Sequence, residues 1–309
     1  MIRYTNFNNL VRAQFDRRVQ KISINAGFTC PNRDGSKGRG GCTYCNNQTF
    51  VPGYCHPVKS ITQQIEEGID FFRKKEKYAN QAYLAYFQSY TNTYDSLEKL
   101  ESVYGEALRH PRVNGIVVGT RPDCVDERIL SYFAGIAGEK YVMIEYGIES
   151  TSDETLERIN RGHNYQCAVD AIGLTASMGL PVGAHMILGL PGEDREQILT
   201  HADRLSTLPL TALKLHQLQL VRGTIMAREA RENPEQFSFF TAEEYIDLVV
   251  DFLERLNPSI AIERFVSQSP HSFLISPDWG LKNFEFVRLV EKRLEERDTW
   301  QGRMLRVNG

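Results

Sequence analysis

From residue 19 onward, short runs of β-branched and aromatic residues alternate with stretches whose apolar residues recur every three or four positions. This alternation is the signature of repeated βα units and a parallel sheet, an α/β fold. Six runs have strand character: Val19–Asn25, Ala82–Phe87, Gly115–Gly119, Tyr141–Tyr146, Val182–Leu188 and Leu213–Leu220. Helix start signals stand between them. Ser60 precedes Ile61, Ile65, Ile69 and Phe72, and Ser96 precedes Leu97, Leu100, Val103 and Ala107. Ser152 opens a helix closed by Gly162, another runs from Tyr165 to Met178 and stops at Gly179, and Asp194 opens one with Ile198, Leu199, Ala202 and Leu205 inward. Thr241-x-x-Glu244 is a capping-box pattern before Tyr245, Leu248, Val249, Phe252 and Leu253.

About twenty residues after the sixth run lack clear periodicity, longer than the usual βα loop. The tail from Pro258 adds a strand at Ile260–Phe265, a Pro-punctuated loop to Trp279 and a last helix near Asn283–Asp298. The expectation is one core domain over 1–257, with a leader at 1–18, and an extension at 258–309 packed on that core. In a barrel of parallel strands, chemistry collects where strands end and βα loops begin. The unusual residues fall there: a cysteine loop after strand one, Gln88-Ser89-Tyr90 after strand two, Thr120-Arg121-Pro122-Asp123 after strand three, Glu145 to Ser150 after strand four, Gly189-Leu-Pro-Gly192 after strand five, and His216-Gln217 in strand six.

Composition changes this picture little. The 309 residues carry 36 Lys+Arg against 39 Asp+Glu, a formal charge of −3, and no apolar run approaches the ~18 residues of a membrane span. The start Met1–Asn6 has no apolar signal-peptide stretch, and six cysteines are too few for a disulfide scaffold, so a reducing cytoplasm is the expected compartment and no membrane partner is expected. Charge neither demands nor excludes a nucleic acid: Arg3, Arg12, Arg17, Arg18 and Lys21 form a basic run, and Lys37 and Arg39 flank the cysteine loop.

Four of the six cysteines, Cys30, Cys42, Cys45 and Cys55, fall within 26 residues that are also rich in glycine. Three chemistries fit the spacing. Zinc takes four ligands, with Cys55 or His56 completing the set. A catalytic dithiol needs only Cys42-Thr-Tyr-Cys45. An iron–sulfur cluster sits on thiolates in a loop whose backbone amides can approach the sulfurs, which Gly38, Gly40 and Gly41 permit. Cys124 and Cys167 read as plain buried thiols, and Cys55 as unrelated to a cluster.

Cys42-Thr43-Tyr44-Cys45 directly after the first strand, together with Gly119-Thr-Arg-Pro-Asp-Cys124, Glu145-Tyr-Gly-Ile-Glu-Ser150 and Asn160-Arg-Gly-His163, resembles the radical S-adenosylmethionine enzymes. The resemblance spans roughly residues 17 to 305 and is strongest to the YhcC/YtqA-type subgroup, related to the catalytic subunit of Elongator and to oxygen-independent coproporphyrinogen oxidase. It implies a partial (β/α)6 TIM-like barrel with a C-terminal extension. It also implies a 4Fe-4S cluster on Cys30, Cys42 and Cys45, with S-adenosyl-L-methionine at the open iron and a 5′-deoxyadenosyl radical as the agent of hydrogen abstraction. By the same likeness Tyr44 packs near the adenine, Gln88 and Ser89 stand where the family binds the methionine amino group, and Thr120 faces the cofactor. Glu149 and Arg161 match ribose- and carboxylate-contacting positions, and His185 stands where relatives often carry an acidic ribose contact. Glu145 and His216 are the catalytic candidates. A flavodoxin or ferredoxin is the implied reductant, and wobble-uridine maturation of the carboxymethylaminomethyl type in tRNA the implied task. A small-molecule or peptide substrate, and a non-catalytic zinc-binding scaffold, are the alternatives.

Overall fold

The computed structural model describes residues 3–73 and 80–305. Its centre is a curled half-barrel of seven parallel strands: β1 (Val19–Ile24), β2 (Ala82–Phe87), β3 (Val113–Thr120), β4 (Tyr141–Glu149), β5 (Val182–Leu188), β6 (Ala212–Gln217) and, after the short β7 (Leu220–Val221), β8 (Ala261–Arg264). All seven lie in chain order across the sheet. β7 pairs instead with β9 (Leu274–Ser276) in an antiparallel ribbon.

Six strands expected from the pattern become seven because the tail strand joins the sheet beside β6, in register from Ala212 against Ala261. The sixth run is cut short at Gln217, where the chain leaves the sheet for β7. The stretch without periodicity then holds a helix, Ile225–Glu232, whose N-cap Thr224 accepts from the Ala227 amide at 3.1 Å. Two further helices lacked a recognised signal. Glu127–Ala137 is capped by Asp126 Oδ1 on the Ile129 amide, and Phe7–Phe15 is capped by Asn6. The helix after Ser152 ends at Arg158 rather than running to Gly162, because Asn160 turns the chain with a φ of +53°.

The sheet buries both faces, as parallel sheets do. Ile22, Ala85, Phe87, Ile116, Val118, Ile144, Ala184, Met186 and Leu215 point outward into a core shared with helix residues such as Ile65, Leu100, Leu130, Ile172 and Leu248. The alternate residues point inward. Leu84, Tyr86, Val117, Tyr141, Met143, Ala212 and Ala261 form a separate interior cluster, closed from below by Phe7 and Val11 of the first helix. Residues before that helix follow the last strand of the sheet: the Ile262 amide donates to Thr5 O at 2.7 Å, and Asn6 bridges Ile262 in parallel.

Candidate active site

On β1, β4, β6 and β8, the inward positions two residues up from Val19, Met143, Ala212 and Ala261 carry charge. Glu145 of β4 is 1% exposed. Its Oε1 accepts from Lys21 Nζ of β1 at 2.7 Å, and its Oε2 from Lys214 Nζ of β6 at 2.6 Å and from His185 Nε2 of β5 at 2.9 Å. Glu263 of β8 takes Lys21 at 2.7 Å and Lys214 at 3.2 Å, while Lys214 also donates to Tyr86 Oη at 2.9 Å. Burial acts to raise the Glu145 carboxyl, but the two lysines and His185 outweigh it and hold it well below the usual carboxylate range. Lys21, grouped in the sequence with a basic leader, is therefore an interior ion and not part of a surface patch.

One level higher, at the carboxyl ends of the strands, is a cavity whose wall includes Cys30, Cys42 and Cys45 on one side and Glu145, His185 and His216 on the other. The cysteine loop is held in place by side chains that the loop sequence itself supplies. Cys30 is the N-cap of a single helical turn, Pro31–Asp34, that stops at Gly35 with a φ of +96°. Asn32 is buried; its Nδ2 donates to Asn160 O at 2.5 Å and approaches Cys42 Sγ at 3.6 Å, while its carbonyl accepts from the Gly41 amide at 2.8 Å. The Thr43 amide donates to Ile159 O at 3.0 Å, and Asn160 Nδ2 to Gly41 O at 2.8 Å. These bonds stitch the loop to the turn that carries Arg161.

Arg161 is the cation of the upper site that reaches Cys42. Its Nη1 lies 3.5 Å from Cys42 Sγ, its Nη2 donates to Gly147 O at 2.5 Å and stands 4.0 Å from Glu149 Oε1, and its buried Nε has no partner among the described residues. Burial acts against the guanidinium charge, but Tyr44, Cys42 and Glu149 outweigh it. Glu149 reaches this place through a left-handed backbone, φ +71°, at the irregular end of β4. Gly147 leaves room for both groups: a Cβ there would stand 2.5 Å from Glu149 Oε1 and 2.9 Å from Arg161 Nη2, so a side chain would push them aside.

Most of the sequence candidates share this cavity. Tyr44, Gln88, Thr120, Glu149, Arg161, His185 and His216 all line it. Tyr44 is half-buried against Leu156, Ile159, Ile187, Leu190 and Leu218, an apolar shelf suited to a flat ring. Thr120 shares a 2.6 Å hydroxyl contact with Thr93. Ser89 is buried but does not belong to the wall. Cys55, Cys124 and Cys167 also lie outside the cavity: Cys55 Sγ donates to Ser23 O at 2.8 Å, while Cys124 and Cys167 are half-buried rather than fully buried thiols. Lys214, Glu263 and Asn32 were not singled out by pattern, and the buried Arg121, which donates to Asp123 and Arg161 O, stood in a quoted motif without a role. A period-two count along β6 and β8 places Lys214 and Glu263 on the inward face, the signal that finds them.

The donor set has a definite chemical character. Burial, then the neighbouring Cys42 and Cys30, push the Cys45 thiol up to about 12, although Arg33 and Arg161 act against this. A thiolate at Cys45 is therefore favoured only when a further cation, such as a metal ion, stands beside it. Among the described residues no three His, Cys, Asp or Glu side chains stand ready-made around a single ion. The sulfurs do have hydrogen-bond donors beside them, Asn32 and Arg161 at Cys42 and Asn47 Nδ2 at 3.3 Å from Cys45, the environment in which Fe–S thiolates are stabilised.

The chain is similar to known proteins. Over 301 residues the chain is 31% identical to the protein YtqA of Bacillus subtilis, covering 97% of this chain and 92% of that one. It is 23% identical over 210 residues to a tRNA uridine(34) acetyltransferase of Methanocaldococcus infernus, 65% of this chain and 36% of that one. Among solved structures, the archaeal Elp3 of Methanocaldococcus infernus superposes with a TM-score of 0.68 at 16% identity, over 92% of this chain and 64% of that one, a likeness of fold. Residues 210–296 match the Radical_SAM C-terminal domain. Residues 28–205, more than half of the chain and the span that holds the cysteine loop, match the Radical SAM superfamily, so the protein belongs to that superfamily of S-adenosylmethionine-dependent enzymes.

Proposed function

We propose that Cys30, Cys42 and Cys45 hold three irons of a 4Fe-4S cluster, and that the remaining cavity takes S-adenosylmethionine and a substrate, with a wobble uridine of tRNA as the substrate group. When bound, the cluster supplies the electron that splits S-adenosylmethionine into methionine and a 5′-deoxyadenosyl radical able to take hydrogen from the substrate. The protein's part is to bind, orient and exclude water. Arg161 carries the reading: a buried guanidinium touching Cys42 with one nitrogen and leaving Nε without a partner can serve a thiolate and a carboxylate together. Glu149 beside it suits the ribose hydroxyls, Gln88 and Thr120 offer polar contacts on the β2 and β3 side, and Tyr44 lies on an apolar shelf fit for an adenine.

The tRNA reading draws on the likeness to the tRNA uridine(34) acetyltransferase, which extends over 65% of this chain. A flavodoxin or ferredoxin would deliver the electron from outside. Anaerobic reconstitution should give about four irons and four sulfides per chain, with S-adenosylmethionine cleaved to 5′-deoxyadenosine under reduction. Stoichiometric zinc without cleavage would overturn the cluster and leave a metal-binding scaffold. For the substrate, nucleoside mass spectrometry of tRNA from a strain lacking the gene should show an altered wobble-uridine profile. An unchanged profile would remove tRNA and turn attention to a small molecule or peptide.

A further inference from the structure

The cofactor contacts leave the layer of ions beneath the cavity without a role. In that layer Glu145 accepts from two lysines, so it remains a carboxylate and can only accept; His185 must then donate to it from Nε2. This places a proton on Nε2 and sets the ring plane of His185. His216 stacks on that ring at 5.7 Å between centroids and 30° between planes. His216 also lines the cavity, and its Nε2 is buried without a hydrogen-bond partner among the described residues. A buried imidazole nitrogen with nothing to bond is costly unless a ligand completes it.

We propose that Glu145 is a positioning residue rather than the group that exchanges a proton with substrate, and that His216 Nε2 is the atom the substrate meets at the inner end of the cavity. The inference rests on the reading that this cavity holds a substrate beside S-adenosylmethionine. The charged and titratable groups that act on His216 come from four strands: Arg264 on β8, His185 on β5, Lys214 on its own strand and Glu145 on β4. Burial, together with Arg264, His185 and Lys214, outweighs the single carboxylate and keeps the imidazole uncharged. A neutral imidazole nitrogen can pair with a polar group such as a hydroxyl, an amide or the carbonyl and N–H edge of a pyrimidine.

Enzyme reconstituted anaerobically from ¹⁵N-histidine-labelled protein provides the test, with His185→Gln and His216→Gln used to assign signals. Long-range ¹H–¹⁵N spectra should show His185 as a single Nε2–H tautomer that gains Nδ1–H character in Glu145→Gln, where the amide can offer its own N–H. They should also show His216 neutral throughout the usual histidine range of about pH 5–8. An unchanged His185 tautomer in Glu145→Gln, or a His216 titrating near 6.5, overturns the proposal. With tRNA from a strain lacking the gene as probe, His216→Gln, which keeps a polar atom near Nε2, should turn over at least about tenfold faster than His216→Leu. Equal turnover in the two also overturns it. Should His216→Leu fail to fold, the spectra decide; a wild type inactive on that tRNA counts against the substrate reading, and the spectra still decide the positioning claim.

Discussion

The mouth and the middle of the half-barrel solve opposite problems. At the mouth, hydrogen-bonding capacity is left over: Arg161 Nε, Arg121 Nη1, His216 Nε2 and Thr91 Oγ1 all lack partners among the described residues. In the middle, every charge of the Lys21, Glu145, Lys214 and Glu263 group is paired, and all four sit on strands. A mouth that must accept a ligand keeps its polar atoms uncommitted. A middle that must keep its shape commits all of them. Paired buried ions add little net stability compared with an apolar filling, but removing one partner strands the rest, so such a layer penalises deformation.

That contrast is open to attack. The largest effect belongs to the mouth: Cys42→Ser should abolish iron–sulfur incorporation and S-adenosylmethionine cleavage, measured by iron and sulfide analysis and by 5′-deoxyadenosine release. Cys167→Ser should leave both intact, and equal loss in the two variants would refute the ligand assignment. In the middle, Glu145→Ala removes the carboxylate shared by two lysines and should cost about 3–5 kcal/mol of folding stability, read from urea denaturation. If it costs less than Arg161→Ala, the division of labour is wrong.

A milder probe is pH. A histidine held below its unfolded value of 6.5 binds its proton in the unfolded chain first, so the buried His216 makes stability fall as pH drops below 6.5. Glu145 has a depressed folded value, so its contribution is full above its unfolded value of 4.5 and is lost as pH falls below that. Stability should thus decline in two windows, at up to about 1.4 kcal/mol per pH unit for each group; His163, held down to about 3 by burial and Arg161, shares the upper window, so His216→Gln should lessen the upper slope and leave the lower one unchanged. The smallest effect is at the rim. Thr224→Ala removes the cap of the Ile225–Glu232 helix, whose Met226 amide holds Thr43 O at 2.8 Å, and should cost about 1 kcal/mol with the cluster still formed.

The same contrast explains what could be read in the chain beforehand. Loop chemistry is local: Cys42-Thr-Tyr-Cys45, the glycines around it and Asn160-Arg-Gly-His163 are contiguous, and their meaning survives without knowledge of register. The strand β2 was legible end to end because both its faces are apolar and buried, and β5 because His185 alone interrupts its apolar run. Lys21, Lys214 and Glu263 were not, since a charge in a strand reads as a solvent-facing position until seven strands are curled and their inward residues meet. β8 was visible as a strand but not as a sheet member, because pairing with β6 is a long-range choice that no local pattern encodes. Ser89 shows the converse error: a residue adjacent to a wall position in sequence points elsewhere in space.

The pairing of Thr5 and Asn6 with Ile262 also sets an order of events during synthesis. The first helix floors the interior, yet the strand it docks beside leaves the ribosome some 250 residues later. Until then Phe7 and Val11 have no complete pocket, and Lys21, already made, lacks Glu263. The interior therefore closes only after β8 is made, so a nascent chain truncated before β8 should remain protease-sensitive across its first helix, and the cavity above should gain its floor only once β8 has paired.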